Sequence, residues 1–320
     1  MTVPESAPVV VTGASGFVGS ALVRRLAHDG IAVRGAVRNA GRGGRHCVLG
    51  PVLGPDADWM PVLQGAGAVV HAAAHVHVAP NRPEASADAF RRINVEGTRR
   101  LASQAALAGV RRFVFLSSIG VHGSRSTRPF TEEDVPAPHS PYAASKLEAE
   151  QAVRDIGAAT GMEWVIVRPP LVYGPGAPGN FARLARCVAR GIPLPLGAVR
   201  NRRTLVALDN LVDLVVTCLY AEAAANQLFL AGDAESLSTP ALLQALSAAL
   251  QRKSGVWPVP VSLLRGAGRL LGRAEDIERL CGDLEIDTGK AQRLLGWRAP
   301  LSVAEGLRRA VAALPQEPDR

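Results

Sequence analysis

Val9-Val10-Val11-Thr12-Gly13-Ala14-Ser15-Gly16-Phe17-Val18-Gly19 is the stretch that decides the fold. A short apolar, mostly β-branched run ends in a turn spaced G-x-x-G-x-x-G, and helical sequence continues to about residue 29. A run of this kind reads as a buried strand. The glycines allow a tight turn and a close backbone approach, so a pyrophosphate can rest on the N–H groups that open the helix. On that reading Gly13, Ser15, Gly16, Phe17, Val18 and Gly19 are the candidate phosphate-side contacts of a dinucleotide.

Working outward, further apolar, strand-length runs lie at 31–37, 68–71, 112–117 and 164–168, with helical sequence at 94–108 and 142–159. Strands that are apolar throughout, separated by helices, predict a parallel sheet covered on both faces. The expected fold class is therefore α/β, a Rossmann-type doubly wound parallel sheet. After Arg168 the sequence Arg168-Pro169-Pro170-Leu171-Val172-Tyr173-Gly174-Pro175-Gly176 changes the texture to proline and glycine. This break predicts a dinucleotide domain over 1–168 and a smaller C-terminal α/β substrate domain over 169–320, some of whose segments return to pack on the first. Helices are expected there at 181–190, 240–250 and 302–314.

Composition removes other classes. The 320 residues are 48% hydrophobic and 20% charged, which suits a globular protein with a sizeable core. Cys47, Cys187, Cys218 and Cys281 show no metal-ligand spacing, so no metal site or disulfide framework is expected, and a reduced, cytoplasmic setting fits. Residues 59–81 carry no Asp, Glu, Lys or Arg. His71, His75, His77 and Gln64 interrupt them, however, and predict a buried strand with its following loop and no membrane insertion. The net charge of +8 comes without a basic run interleaved with aromatics, so nucleic acid is not an expected partner. An anionic small substrate suits the same field.

The chemistry gathers in two places. Tyr142-Ala143-Ala144-Ser145-Lys146 puts a phenol and an amine on one helix face. A tyrosine with its ordinary pKa near ~10 is a poor base at neutral pH, and an adjacent ammonium would favour its phenolate. Upstream, Phe113-Val114-Phe115-Leu116 runs into Ser117-Ser118, where a hydroxyl can hold a substrate oxygen beside the tyrosine. Cofactor selectivity is expected at Ala36-Val37-Arg38-Asn39, which ends the second strand without an acid. Arg38 can pair with a 2′-phosphate, slightly favouring NADP(H) over NAD(H).

In this order, TGASGFVG (12–19), VVHAAA (69–74), INVEGTRRL (93–101), LSSIGVHG (116–123), YAASK (142–146) and RPPLVYGPG (168–176) resemble the extended short-chain dehydrogenase/reductase family, in particular its nucleotide-sugar epimerases and reductases. The resemblance implies Ser118 as substrate-positioning hydroxyl, Tyr142 as acid/base and Lys146 as its activator. It implies cofactor contacts at Leu53, Ala72, Ala73, Ala74, Ser117 and Pro169 besides Tyr142 and Lys146. Asn94 would lie behind these residues in a structural role, and His71 would pack beneath the cofactor. The sequence departs from the family's S-S-x-x-V-Y-G at His122, which replaces its tyrosine.

A UDP-sugar is the implied substrate, with His75, Ser118, Asn180, Phe181, Leu196, Arg203 and Arg279 as its candidate contacts. Ile119-Gly120 stands where the family's 4,6-dehydratases carry an Asp-Glu pair, which disfavours dehydration. Arg38, together with the similarity of 179–197 and 201–218 to UDP-4-keto-6-deoxy-N-acetylhexosamine reductases, points to a 4-ketoreductase of polysaccharide precursor synthesis. A UDP-glucose or UDP-N-acetylglucosamine 4-epimerase is the alternative, and a catalytically silent NAD(P)-binding regulator is a third. The resemblance also implies a homodimer through the helices at 94–108 and 142–159.

Overall fold

The structure is a computed structural model that describes residues 7–39, 41, 44–76, 86–253 and 255–312. The first half runs β1 (Val9–Thr12), α1 (Phe17–His28), β2 (Val33–Val37), β3 (Cys47–Leu49), α2 (Met60–Leu63), β4 (Ala68–His71), α3 (Ala87–Phe90) and α4 (Gly97–Leu107). Next come β5 (Arg112–Leu116), α5 (Pro141–Thr160), β6 (Glu163–Arg168), β7 (Leu171–Tyr173), α6 (Gly179–Ala189), β8 (Arg203–Ala207) and α7 (Leu208–Tyr220). The chain ends with β9 (Gln227–Leu230), β10 (Ser236–Leu237), α8 (Thr239–Ala249), α9 (Val261–Leu270), α10 (Ala274–Cys281), α11 (Gly289–Leu295) and α12 (Val303–Ala312).

Seven parallel strands form the main sheet in the order β3-β2-β1-β4-β5-β6-β9. The chain leaves β1 towards one edge and returns to build the other, so the order reverses between β1 and β4. A crevice opens at such a reversal, beyond the carboxyl ends of the strands. The register sets Thr12 beside His71, and Leu116 beside Val167, so these strands end at one edge of the sheet. Gly13, Ala72, Ser117 and Pro169, the residues that follow, are thereby delivered to the same edge.

Burial explains the continuous apolar runs. Val9, Val11, Val70, Val114 and Val165 face one core, packed under α1 and α7. Val10, Val69, Phe113, Phe115 and Ile166 face the other, packed under α4 and α5. Alternate residues of each strand thus enter opposite cores, and both faces of the sheet are covered.

Beyond Arg168 a second sheet forms in the order β10-β8-β7, with β7 and β8 parallel and β10 antiparallel. A third core holds Tyr173, Phe181, Leu196, Leu205, Leu243 and Leu307. Two elements of this half return to the first: α7 packs on α1, and β9 completes the main sheet. Buried Asp233 ties β7, β8 and α7 together by accepting from the Ala207 amide (2.9 Å), Asn210 Nδ2 (2.7 Å) and the Tyr173 hydroxyl (2.7 Å). One local expectation fails. The helix read as starting at Asn94 begins at Ala87 with α3, passes through a π-helical turn over Arg91–Glu96 and returns to α-helix at Gly97. Single π turns interrupt helices mainly where a side chain must be re-aimed, and Asn94 is that side chain.

Candidate active site

The Gly-rich turn leaves no room for side chains. Gly13 has φ +68°, and a Cβ there would lie 2.8 Å from the Ala73 amide nitrogen. A Cβ on Gly19 would lie 2.2 Å from the Gly13 carbonyl oxygen. The turn therefore packs backbone against backbone, against both the helix it opens and the Ala72–Ala74 loop. Helix α1 starts at Gly16 with no side-chain cap and no acid in its first turn. Its unpaired N–H groups and positive end are available to an anion, and Ser15 and Gly16 are exposed there. The cradle fits the pyrophosphate of an NAD(P) cofactor.

Neighbouring positions have definite surroundings. Phe17 and Val18 are half-buried behind the turn, as are Ala72, Ala73 and Ala74 beyond β4. Half-buried Leu53 packs on α4 so closely that a Cβ on Gly97 would lie 2.8 Å from its Cγ. Arg38 is exposed just past β2. His71 is fully buried, with Nδ1 2.6 Å from Thr12 Oγ1 and Nε2 2.9 Å from Thr98 Oγ1. Burial, aided by the charge of Lys146, holds its pKa well below the ordinary histidine range. The ring is a neutral clamp between β1, β4 and α4.

At the end of β5, Ser118 caps a short 3-10 turn over Ile119–Val121, its Oγ accepting from the Gly120 amide at 3.1 Å. A Cβ on Gly120 would lie 3.4 Å from Ser118 Oγ and 3.6 Å from Ala143 Cβ. Ser118 is thus seated at the seam with the first turn of α5, where Tyr142 lies. That helix begins cleanly, with Ser140 as N-cap accepting from the Ala143 amide (3.2 Å) and Pro141 in its first turn. Lys146 Nζ sits 3.9 Å from the centroid of the Phe115 ring, on buried ground. Burial pushes Tyr142 up to about 12. It pulls Lys146 down to about 7, and Glu150 only partly opposes this.

Asn94 braces the opposite wall. It accepts from the His75 amide (2.7 Å) and donates to the His75 carbonyl (3.1 Å) and to Ser145 Oγ (3.0 Å). Ser145 donates in turn to the Tyr142 carbonyl (2.8 Å). Phe90 stands between the two rings it adjoins, 5.2 Å from His75 and 6.1 Å from Tyr142. Pro169 reaches the site through its carbonyl, which accepts from the Ile119 amide at 2.9 Å.

A buried polar network behind this wall is absent from the sequence reading. Ser117 Oγ donates to Glu150, and Arg168 grips both oxygens of that carboxylate at 2.9 and 2.6 Å. The third arm, Arg168 Nη1, lies 2.6 Å from His122 Nε2. Guanidinium only donates, so His122 must accept through Nε2 and carry its proton on Nδ1. Among the described residues that Nδ1 has no partner. Burial and the Arg168 charge hold His122 down at about 4. Glu150 lies one turn beyond Lys146, so a longer look at the Tyr142–Lys146 helix face would have found it. Its link to Arg168 and His122 exists only once β5, β6 and α5 are in register.

The substrate-side residues fall into two groups. Asn180 is exposed in the first turn of α6, whereas Phe181 packs against Tyr173 in the third core, and Leu196 is buried in it. Arg203 and Arg279 do come together, through the backbone of the latter. Arg203 Nη1 donates to the Arg279 carbonyl (2.8 Å) and the Gly282 carbonyl (3.0 Å) at the end of α10. The Arg279 side chain is exposed, 3.4 Å from Glu275. His77 lies outside the described residues.

Residues 9–232 match the NAD dependent epimerase/dehydratase family. A Vibrio cholerae UDP-glucose 4-epimerase is 38% identical over 318 residues, covering 98% of this chain and 97% of the relative. Among solved structures, a Thermotoga maritima UDP-glucose 4-epimerase with UDP-glucose superposes with TM-score 0.77 at 23% identity, over 96% of this chain and 98% of that one. MoeE5, solved with UDP-glucose and NAD, gives TM-score 0.76 at 25% identity over the same shares. The turn that fits a pyrophosphate and these matches agree: the chain belongs to the NAD dependent epimerase/dehydratase family and is an NAD(P)-dependent oxidoreductase or epimerase.

Proposed function

We propose that the chain is a UDP-hexose 4-epimerase, with UDP-glucose or UDP-N-acetylglucosamine as substrate. The observation that carries this reading is the 38% identity to the V. cholerae UDP-glucose 4-epimerase across nearly both full lengths. It outweighs the 4-ketoreductase favoured from Arg38 and the second-domain stretches, because the similarity runs through those stretches as well. Both reactions act at one carbinol carbon and ask for the same side chains.

In this reading Gly13, Ser15, Gly16, Phe17, Val18 and Gly19 hold the pyrophosphate of the dinucleotide. Ala72, Ala73, Ala74, Ser117 and Pro169 line its path towards the sugar, and Leu53 and Arg38 flank the adenosine end. When bound, the nicotinamide supplies hydride acceptance and return at the sugar's C4. Ser118 hydrogen-bonds the C4 oxygen and fixes it near Tyr142. At neutral pH Tyr142 rests as a phenol, since burial disfavours its anion. It takes the C4 hydroxyl proton only with a positive charge close by, and Lys146, one turn on, provides that charge when protonated. Returning the proton to the oxygen of a rotated keto sugar completes inversion. His75, Asn180, Arg203 and Arg279 are the remaining contacts proposed for the nucleotide sugar, and Phe181 and Leu196 support them from the core behind.

Exposed Arg38 supports acceptance of a 2′-phosphate, while similarity to the NAD-bound MoeE5 supports NAD, and an epimerase that retains its cofactor can work with either. The test is incubation of the purified protein with UDP-glucose, UDP-N-acetylglucosamine and a 4-keto-6-deoxy UDP-sugar, with and without NADPH. Interconversion of C4 epimers without net cofactor use is the expected result. NADPH consumption with the keto sugar alone would replace the epimerase by the reductase.

A further inference from the structure

Helix α9 has one apolar face too many. A surface helix needs a single apolar stripe turned to the core, and Leu264 and Gly268 supply it. Leu264 is 8% exposed, and a Cβ on Gly268 would lie 2.6 Å from Ile277 of α10. Leu263 and Leu270, two turns apart, share another face with exposed Gly266 and Ala267 between them. Leu263, Leu270 and the adjoining Leu271 are 63%, 89% and 74% exposed, and Trp257, just before the helix, is 64% exposed. Leu263, Leu270 and Leu271 thus make an apolar strip in water, which isolated exposed leucines do not, and exposed Trp257 precedes it in the chain.

The segment that carries the strip has charge of one sign, and the acids nearest it belong to α10, where Glu278 pairs with Arg265 and Glu275 with Arg279. From residue 236 to 274 there is no Asp or Glu, while Arg252, Lys253, Arg265, Arg269 and Arg273 all fall in that interval. Arg269 lies beside the strip on α9, Arg265 one turn earlier towards α10, and Arg273 just past the helix, and all three are exposed. Arg265 also reaches Glu278 of α10 at 3.0 Å. A solvent-facing apolar strip with a tryptophan at its start and a cationic flank is how a helix lies in a membrane interface. No helix among the described residues is long and apolar enough to cross a membrane. Ten residues of α9 would lie along the surface.

We propose that the outer face of α9 docks on an anionic phospholipid bilayer, with Leu263, Leu270, Leu271 and Trp257 at the acyl boundary and Arg269 and Arg273 on the headgroup phosphates. A second copy of the chain is a poorer occupant. A two-fold interface sets a patch against itself, which would bring Arg269 and Arg273 of one copy towards the same residues of the other. The docking face belongs to the substrate half: α10 pairs Glu278 with Arg125, seven residues after Ser118, and its last turn holds Arg203.

The test is flotation of the purified full-length protein with vesicles of phosphatidylcholine alone or containing phosphatidylglycerol. Wild type should bind only the anionic vesicles and release in high salt. Leu263→Gln/Leu270→Gln/Leu271→Gln should abolish binding. Arg269→Gln/Arg273→Gln should weaken it by about twentyfold, since each arginine near an anionic surface contributes roughly fivefold. Both variants should keep the wild-type melting temperature, oligomeric mass and cofactor binding, because these side chains touch nothing in the core or the cradle. Failure of wild type to float, or undiminished flotation of the leucine variant, overturns the proposal. A fall in oligomeric mass with the leucine variant also overturns it, and assigns the face to a second copy.

Discussion

At the scale of single residues, reactivity here is governed by burial more than by pairing. Tyr142 is raised to about 12 and Lys146 lowered to about 7, so each favours its neutral form. Tyr142→Phe should cut turnover by about a hundredfold to ten-thousandfold while leaving NAD(P) titrations unchanged, the span usual for a positioned acid or base. Near-normal turnover would remove Tyr142 from the chemistry. Lys146 also sets a stability slope. Its folded pKa lies below the unfolded value of 10.5, so between about 7 and 10.5 the unfolded chain binds the extra proton. Stability therefore rises with pH across that window, and is lost as pH falls through it. Lys146→Met, which cannot take the proton, should raise the melting temperature most near about pH 6, with the gain shrinking towards about pH 10. An equal gain at both would show that Lys146 is not charged at the expense of folding. The Ser118, Tyr142 and Lys146 set was legible because its members are ordered along the chain at spacings chemistry demands. Glu150, Arg168 and His122 were not, since their bonds span 18 to 46 residues of sequence.

At the scale of elements, the Gly-rich turn carries the clearest steric statement. A methyl on Gly19 would strike the Gly13 carbonyl at 2.2 Å, with backbone on both sides and no flexible side chain to yield. Gly19→Ala should therefore displace α1 from the turn, costing roughly 1–3 kcal/mol as overpacking does, and should sharply weaken NAD(P) binding. Thermal unfolding with and without cofactor measures both, and unchanged cofactor affinity would contradict the cradle. Long, uniformly apolar strands and helices with strong caps, such as β5 and α5, were readable because each satisfies a local pattern. Short β3, β7 and β10 were not, for three or two residues carry too little periodicity to separate from a loop. The π turn at Arg91–Glu96 escaped for another reason: the partners of its Asn94, His75 and Ser145, lie 19 and 51 residues away along the chain.

At the scale of the whole molecule, the polar network behind the site joins β5, α5 and β6 and should appear in acid unfolding. His122 titrates at about 4 in the fold against 6.5 when unfolded, so its contribution is full above about pH 6.5 and is lost as pH falls to about 4. His122→Gln keeps an acceptor for Arg168 but removes the titration. It should flatten the stability loss across that window, measured by urea unfolding at stepped pH, and an unchanged slope would place the acid sensitivity elsewhere. The parallel sheet and the change of texture after Arg168 were legible at this scale. Some segments of the second half were expected to return, but which ones, α7 and β9, was not legible, because nothing local to residues 208–230 says which sheet they will join.

Inversion at C4 by hydride transfer out and back within one site, served by Ser118, Tyr142 and Lys146, leaves the C4 hydrogen unexchanged with solvent. The most direct measurement is conversion of UDP-glucose or UDP-N-acetylglucosamine by the purified protein in D2O, followed by proton NMR of the sugar. The expected products are C4 epimers whose C4 keeps its original hydrogen, with no deuterium gained from solvent. Deuterium at C4, or no epimer from either sugar, would contradict it.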